Sequence, residues 1–331
     1  MHVQSINRVL HARAALEGAV RAYFNGEGFL EVTTPAALPF PNLDPHIRPI
    51  PLSIRDFSGR IHRHWLHTSP ELSMKKLVAR GSGDIYQIGP VFRDEEITPH
   101  HRSEFSMLEW YRTGADYDEV IEDTVNVIKS CCRSLQGSTR FSRSGRDWDL
   151  AGPWEDLTML EVFGRYAGVD SFTEPAMTSA LQAAGYAGGL GTGLEDLFFR
   201  IYVDIVEPEL GKEKPTIVRD FPDFLGTMAR PKPGPPGFLE RFEVFIDGLE
   251  LANGYSELTE AEELRGRMER VRVSLESDGV EGLAIDGDFL DAVRGLPDCA
   301  GVSLGMDRLA MLLLGANDIS QVVFPFDMET T

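Results

Sequence analysis

The chain has 331 residues, 42% hydrophobic and 25% charged, the balance of an ordinary soluble globular protein. A formal net charge of −20 gives no general attraction for a polyanion, which opposes a broad nucleic-acid footprint without removing a local basic patch. No run reaches the roughly 18 apolar residues of a membrane span, and the opening residues lack an apolar signal core, so a cytoplasmic protein is expected. Residues 7–27 read as an amphipathic helix, with Val9, Leu10, Leu16, Val20 and Phe24 near helical spacing. Gly28 to Pro35 reads as a turn and a short strand stopped by proline. Residues 70–80 read as helix, Asp84–Val91 and Glu104–Arg112 as strands, and Tyr117–Leu135 as an amphipathic helix. Cys131 and Cys132 on that helix, and Cys299 later, lack metal-ligand spacing and read as buried reduced thiols.

Residues 154–212 form a mostly helical part with glycine-rich turns between Gly185 and Gly193. Thr216–Asp220 and Arg241–Asp247 read as strands, and residues 229–237 as a proline-glycine loop. Glu260–Glu276 reads as a charged helix, Val302–Leu304 as a short strand, and Met306–Leu314 as a helix after a glycine. Strands and helices follow no βαβ rhythm. The expectation is therefore an α+β fold with a central, mainly antiparallel sheet flanked by helices, in one catalytic domain spanning 1–331 with a helical insertion at about 154–212.

Three segments carry chemistry. In the first, Arg93 ends one strand and Phe105 opens the next, so an arginine fork and an aromatic face can hold opposite ends of a nucleotide. Alternation puts Phe105, Met107, Glu109 and Tyr111 on one face; a salt-bridged hairpin is the plainer reading. In the second, Glu243, Glu250 and Glu257 surround a hairpin turn at Asp247-Gly248. Such carboxylates suit magnesium or a substrate ammonium, or simply form an exposed acidic hairpin. In the third, Arg308 stands in the first turn of a helix, where the macrodipole disfavours a cation. Either an anionic ligand explains it or it pairs with Asp307 or another acid.

In this order, these segments resemble the three signature motifs of class II aminoacyl-tRNA synthetases: Gly28–Pro35 the first, Phe92-Arg93-Asp94-Glu95 through Phe105 the second, and Gly305-Met306-Asp307-Arg308 the third. Ser69-Pro70-Glu71-Leu72, Glu104–Tyr111 and Asn253–Leu258 are similar to the lysine-specific branch. Residues 7–327 resemble the short lysyl-tRNA synthetase paralogues that attach (R)-β-lysine to a lysine of elongation factor P, including Glu207–Thr216 and an alanine, Ala252, where lysyl synthetases carry glycine. Arg102-Ser103 departs from the usual Asn-Pro.

The resemblance implies ATP and Mg2+ as cofactors, lysine or β-lysine and elongation factor P as substrates, no anticodon-binding domain, no stable nucleic-acid partner, no membrane, and a homodimer formed near Pro35. It implies that Arg93 and Arg308 are catalytic and that Arg93, Glu95, His101, Phe105, Glu243, Glu250 and Arg308 bind ATP, with Phe105 stacking adenine. Glu243 and Glu250 would hold the metal. Glu109, Glu257 and Tyr111 would read the substrate's ε-ammonium, Glu71 its other amine and Asn253 its carboxylate. The Ala252 methyl is expected to take space beside Asn253 and so discriminate lysine isomers. A truncated lysyl-tRNA synthetase charging tRNA and a non-catalytic paralogue binding amino acid or nucleotide remain as alternatives.

Overall fold

Helix α1 (Val3–Gly26) lays Leu16, Val20 and Phe24 into the core and leaves Leu10 on the surface in the computed structural model, which describes residues 3–95, 97–186, 193–226 and 228–324. Glu96, most of the glycine-rich stretch between Gly185 and Gly193, and the tail after Phe324 lie outside the described residues. Strand β1 is only Leu30–Glu31, shorter than the expected Gly28–Pro35 stretch. Strands β2 (Ala37–Leu38), β3 (Ile50–Arg55) and β4 (Ile61–Leu66) form a small separate sheet that sequence reasoning missed. Its strands are interrupted or flanked by Pro39, Pro41, Pro45, Pro49 and Pro51, which conceal the alternation.

Helix α2 (Glu71–Val78) leads to β5 (Ile85–Phe92) and β6 (Glu104–Thr113), paired antiparallel as expected. Asp116 and Glu119 form a reciprocal capping box that starts α3 (Tyr117–Gln136), and Gly137 ends it at φ 72°. A hairpin, β7 (Arg140–Arg143) and β8 (Arg146–Asp149), follows. Glu155–Thr158, expected within the helical part, is instead strand β9, and Thr158 caps the next helix, α4 (Met159–Ala167). Helices α5 (Glu174–Ala183) and α6 (Leu194–Ile201) come next; α6 runs into a π-turn at Tyr202–Val206.

Strands β10 (Thr216–Pro222), β11 (Phe238–Ile246) and β12 (Leu249–Ser256) precede α7 (Ala261–Ser277) and α8 (Gly287–Val293). Strand β13 (Cys299–Gly305) and α9 (Met306–Leu314) close the chain. The β11–β12 turn falls at Asp247-Gly248 as expected, with φ 52° and 72°, the twist-matched hairpin conformation.

The main sheet has eight strands in the order β1-β5-β6-β13-β12-β11-β10-β9. It is antiparallel from β5 to β10 and parallel only at its two edges. Strand alternation divides its faces. Leu108, Trp110, Phe242, Val244, Ala300, Val302 and Leu304 pack in one core with residues of α1, α3 and α9. The opposite face carries Glu109, Tyr111, Glu243, Asn253, Tyr255 and Ser303, lining cavities rather than core. Residues 159–225, with Phe163, Phe198 and Tyr202, build a second core over Val218 and Phe245 at the far end of that face. All three cysteines are buried and unpaired.

Candidate active site

The polar face of the sheet holds two cavities, of about 280 and 250 Å³, which share Ile47, Arg93, Arg241, Glu243, Asn253 and Ser303. They therefore form one two-chambered site, with its floor on β6, β13, β12 and β11.

The first chamber ends in a knot of acids. Glu71, Glu109 and Glu257 are at most 5% exposed, and Asp44 joins them from the loop before β3. Glu109 accepts hydrogen bonds from Tyr111 (2.6 Å) and Ser69 (2.7 Å). Tyr255 donates to Glu71. Behind them Lys75, 2% exposed, sets its ammonium against Glu71 (2.5 Å) and Glu257. Burial, reinforced by the Glu71 charge, pushes Glu109 up to about 8. Burial also raises Glu257 to about 8, with Lys75 opposing and Glu71 adding to the rise. Burial and then the Glu71 charge lift Asp44 to about 6. Glu257 Oε1 is buried and has no hydrogen-bond partner among the described residues. A buried acceptor in that state calls for a donor from a ligand. Acids that resist ionisation together, with one unused acceptor, make a receptor for ammonium groups.

Gly301 gives this chamber its shape, and Gly254 lets the sheet pack closely behind it. A Cβ at Gly301 would stand 2.4 Å from the Tyr111 ring and 2.8 Å from Glu257 Oε1. One at Gly254 would meet Phe242 and Val302 at 2.7 Å behind the sheet. Tyr111 and Glu257 can lie over β13 only because position 301 is bare.

The second chamber is cationic. Arg93, His101, Arg102, Phe105, Glu243, Glu250 and Arg308 line it. Arg308 does not pair with Asp307, which instead takes Arg13 and the Ser106 amide (2.8 Å). Arg308 reaches the Glu250 carbonyl (2.8 Å) and carboxylate (3.2 Å) and donates to His101 Nε2. Burial and the Arg308 charge lower His101 to about 4. The ring is then neutral at pH 7, and with Nε2 accepting from Arg308, Nδ1–H donates to Thr98 Oγ1 at 2.7 Å. Arg93 lies over the Phe105 ring at 5.1 Å. Burial, eased by Arg241 and reinforced by Glu250, raises Glu243 to about 7; Arg241 (2.7 Å) and the Tyr202 hydroxyl (2.7 Å) hold it.

Glu250 reaches this wall through an irregularity. Val244 pairs with Ala252, but Phe245 pairs with Glu250, so Leu251 is an extra residue in β12. The bulge brings Glu250 to the same face as Glu243 and Asn253. Among the described residues no group of three or more His, Cys, Asp or Glu side chains is arranged to hold a metal ion.

Most expected site residues meet here: Glu71, Glu109, Tyr111, Asn253 and Glu257 around the first chamber, and Arg93, His101, Phe105, Glu243, Glu250 and Arg308 around the second. Two do not stand as expected. Glu95 is 69% exposed in its side chain and pairs with Arg48 at 2.6 Å, away from both linings. Ala252 contributes to the second lining, but it lies with Val244 and Leu304 in the core behind the sheet. Strand alternation directs its methyl away from the substrate side, so any influence on Asn253 passes through the backbone. Sequence reasoning missed Lys75, Arg241 and Tyr202. Lys75 leaves one trace, a lysine on the buried stripe of α2 one turn after Glu71.

The site thus lies on a largely antiparallel sheet with a two-chambered polar face, with Arg93 just after β5 and Arg308 in the first turn of α9. The family model of tRNA synthetases class II (D, K and N) matches residues 1–328, and the chain belongs to that family. It is 39% identical over 306 residues to an elongation factor P–(R)-β-lysine ligase homologue of Aquifex aeolicus, covering 92% of this chain and 95% of that one. It is 36% identical over 318 residues to the elongation factor P–(R)-β-lysine ligase of Erwinia tasmaniensis, covering 94% and 92%. The corresponding ligase of Pasteurella multocida is 34% identical over 325 residues, covering 96% and 94%.

Proposed function

We propose that the protein is a ligase that uses ATP to activate (R)-β-lysine, or lysine, as an aminoacyl-adenylate and transfers it to a lysine side chain of elongation factor P. The observation that carries this reading is the closed acidic end, Glu71, Glu109, Glu257 and Asp44, joined to an arginine-lined chamber. A substrate with two ammonium groups and one carboxylate matches that polarity end for end.

The substrate's distal ammonium would take Glu109, Glu257 and Tyr111, and its other amine Glu71. Asn253 and Arg93 would hold the carboxylate at the junction of the chambers. ATP would lie against Phe105, His101 and Arg308. A carboxylate oxygen attacks the α-phosphorus, the bond to the bridging oxygen breaks, and pyrophosphate leaves with that electron pair. The target lysine amine then attacks the acyl carbon, AMP leaves, and the amine loses a proton as the amide forms. No protein nucleophile is required; positioning and charge stabilisation carry the rate. Glu243 and Glu250 would hold magnesium. Two carboxylates on one wall, Glu250 beside Glu243, suit an ion that keeps most of its waters. Bound there, magnesium supplies charge neutralisation between phosphates.

The reading extends to a single catalytic domain with a helical insertion, working as a homodimer in the cytoplasm. Among the described residues no helix is long and apolar enough to cross a membrane. The test is mass spectrometry of elongation factor P after incubation with protein, ATP and each lysine isomer. A mass increase of one lysyl group supports the reading. Charging of a lysine tRNA in its place, or no ATP–pyrophosphate exchange at all, overturns it.

A further inference from the structure

Lys75 is absent from the lining of either chamber, yet it touches what lines them. It sits on α2 one turn after Glu71, with Glu71 Oε1 at 2.5 Å and Glu257 on its other side. Its ammonium lies 5.2 Å from the Tyr255 ring centre, 6.0 Å from that of Tyr111 and 3.8 Å from the Met228 sulfur. Glu71 and Glu257 come from different segments, one from the first turn of α2 and the other from just after β12. Both are nearly inaccessible, and without a cation between them their like charges would face each other in a poorly solvated wall.

We propose that Lys75 is a positioning residue for the substrate amines: from behind the cavity wall, its ammonium holds the carboxylates of Glu71 and Glu257 apart and directed inward. The inference rests on the lysine-activating reading above. Lys75 forms an ion pair with Oε2 of Glu257, while Oε1, beside bare Gly301, has neither an ion-pair nor a hydrogen-bond partner among the described residues. A carboxylate held at one oxygen by an internal ammonium therefore offers its other oxygen to an external one. The same device serves Glu71, where Oε1 takes both Lys75 and the Tyr255 hydroxyl, leaving Oε2 for the substrate's second amine.

The charged and titratable groups around Lys75 are Glu71 from α2, Tyr255 from β12 and Glu257 just after it, Tyr111 and Glu109 from β6, Cys299 from β13 and Asp44 from the preceding loop. Burial alone would lower the Lys75 pKa, but the Glu257 and Glu71 charges hold it above its ordinary range. Lys75 in turn draws Glu257, Glu109 and Asp44 down. Because Lys75 draws both Glu257 and Glu109 down, its removal is expected to move their ionisation to higher pH.

The experiment is lysine-dependent ATP–pyrophosphate exchange from pH 6 to 9 with wild type, Lys75→Met and Lys75→Arg. In wild type the KM for lysine is expected to fall as pH rises toward 8. Lys75→Met, similar in length and uncharged, is expected to raise that KM at least tenfold at pH 7. It should also displace the falling limb upward by about one pH unit, with the KM for ATP within twofold of wild type. Lys75→Arg keeps the charge and is expected to leave the limb in place while raising KM through its larger head. A Lys75→Met limb that stays at the wild-type pH, or a KM for ATP that rises as much as that for lysine, overturns the proposal. Should Lys75→Met not fold, Lys75→Arg decides: a limb in place supports the proposal and a displaced limb overturns it. Wild type without lysine-dependent exchange overturns the functional reading itself, which separates the two failures.

Discussion

Glu109 meets the hydroxyls of Tyr111 and Ser69, one on each oxygen, and forms no ion pair among the described residues. Charge is therefore what it offers a ligand. Glu109→Gln preserves shape and removes that charge, and hydrogen bonds to charged groups contribute roughly 1.5–3 kcal/mol. Lysine use should fall about tenfold to a hundredfold, with the KM for ATP unchanged; a parallel fall in ATP affinity would make Glu109 structural. The raised Glu109 and Glu257 also predict a pH effect. Both stand near 8 in the folded, ligand-free protein against an ordinary value of 4.5. Folding therefore takes up protons between those limits. The stability these groups contribute is complete below about 4.5 and is lost as pH rises toward about 8. Lysine, binding the ionised forms, should reverse the loss, so the thermal shift it produces should be larger at pH 8 than at pH 6. Differential scanning fluorimetry at both values reads this directly. At this scale the motifs led to Glu109, Tyr111, Glu257 and Arg308, which line the chambers, but also to Glu95, which points away from them. Lys75 and Arg241 escaped because their importance lies in partners 182 and 12 residues away, Glu257 and Asn253, which no local pattern displays.

Strand β13 shows how an element without reactive side chains shapes the site. Gly301→Ala would drive a methyl into the Tyr111 ring and Glu257, neither of which can retreat into a packed wall. Overpacking of this kind costs about 1–3 kcal/mol. A lower melting temperature and a more than tenfold rise in the KM for lysine are expected, with ATP–protein affinity retained; unchanged lysine kinetics would show that the wall yields. Elements with strong local signals were legible: α3 through its capping box and apolar stripe, α9 through Gly305, and the β11–β12 hairpin through Asp247-Gly248. Strands β2 to β4 were not, since prolines break their pattern, nor was β9, a four-residue edge strand that pairs only with β10. Its identity depends on a partner about sixty residues later in the chain, beyond the reach of periodicity.

For the whole molecule, α1 and β1 leave Leu10 (51% exposed) and Leu30 (59%) uncovered, Leu30 five residues before Pro35. Together with the family membership, this favours a symmetric pair formed there. Light scattering at micromolar concentration should give twice 36.8 kDa, and Leu30→Asp should reduce the mass toward one chain. A wild-type monomer would count against the pairing. The sheet topology has a further consequence. The extra residue in β12, Leu251, falls where the two chambers meet, so the strand's alternation is reset between Glu250 on one side and Asn253, Tyr255 and Glu257 on the other. On the proposed function, amino-acid recognition and nucleotide handling would lie on opposite sides of a phase break. Over evolutionary time the acids beyond the break can be exchanged for another amino acid's contacts while the aim of Glu250 stays where it was. One scaffold could in this way pass from one amino acid to another without reinventing how it activates them.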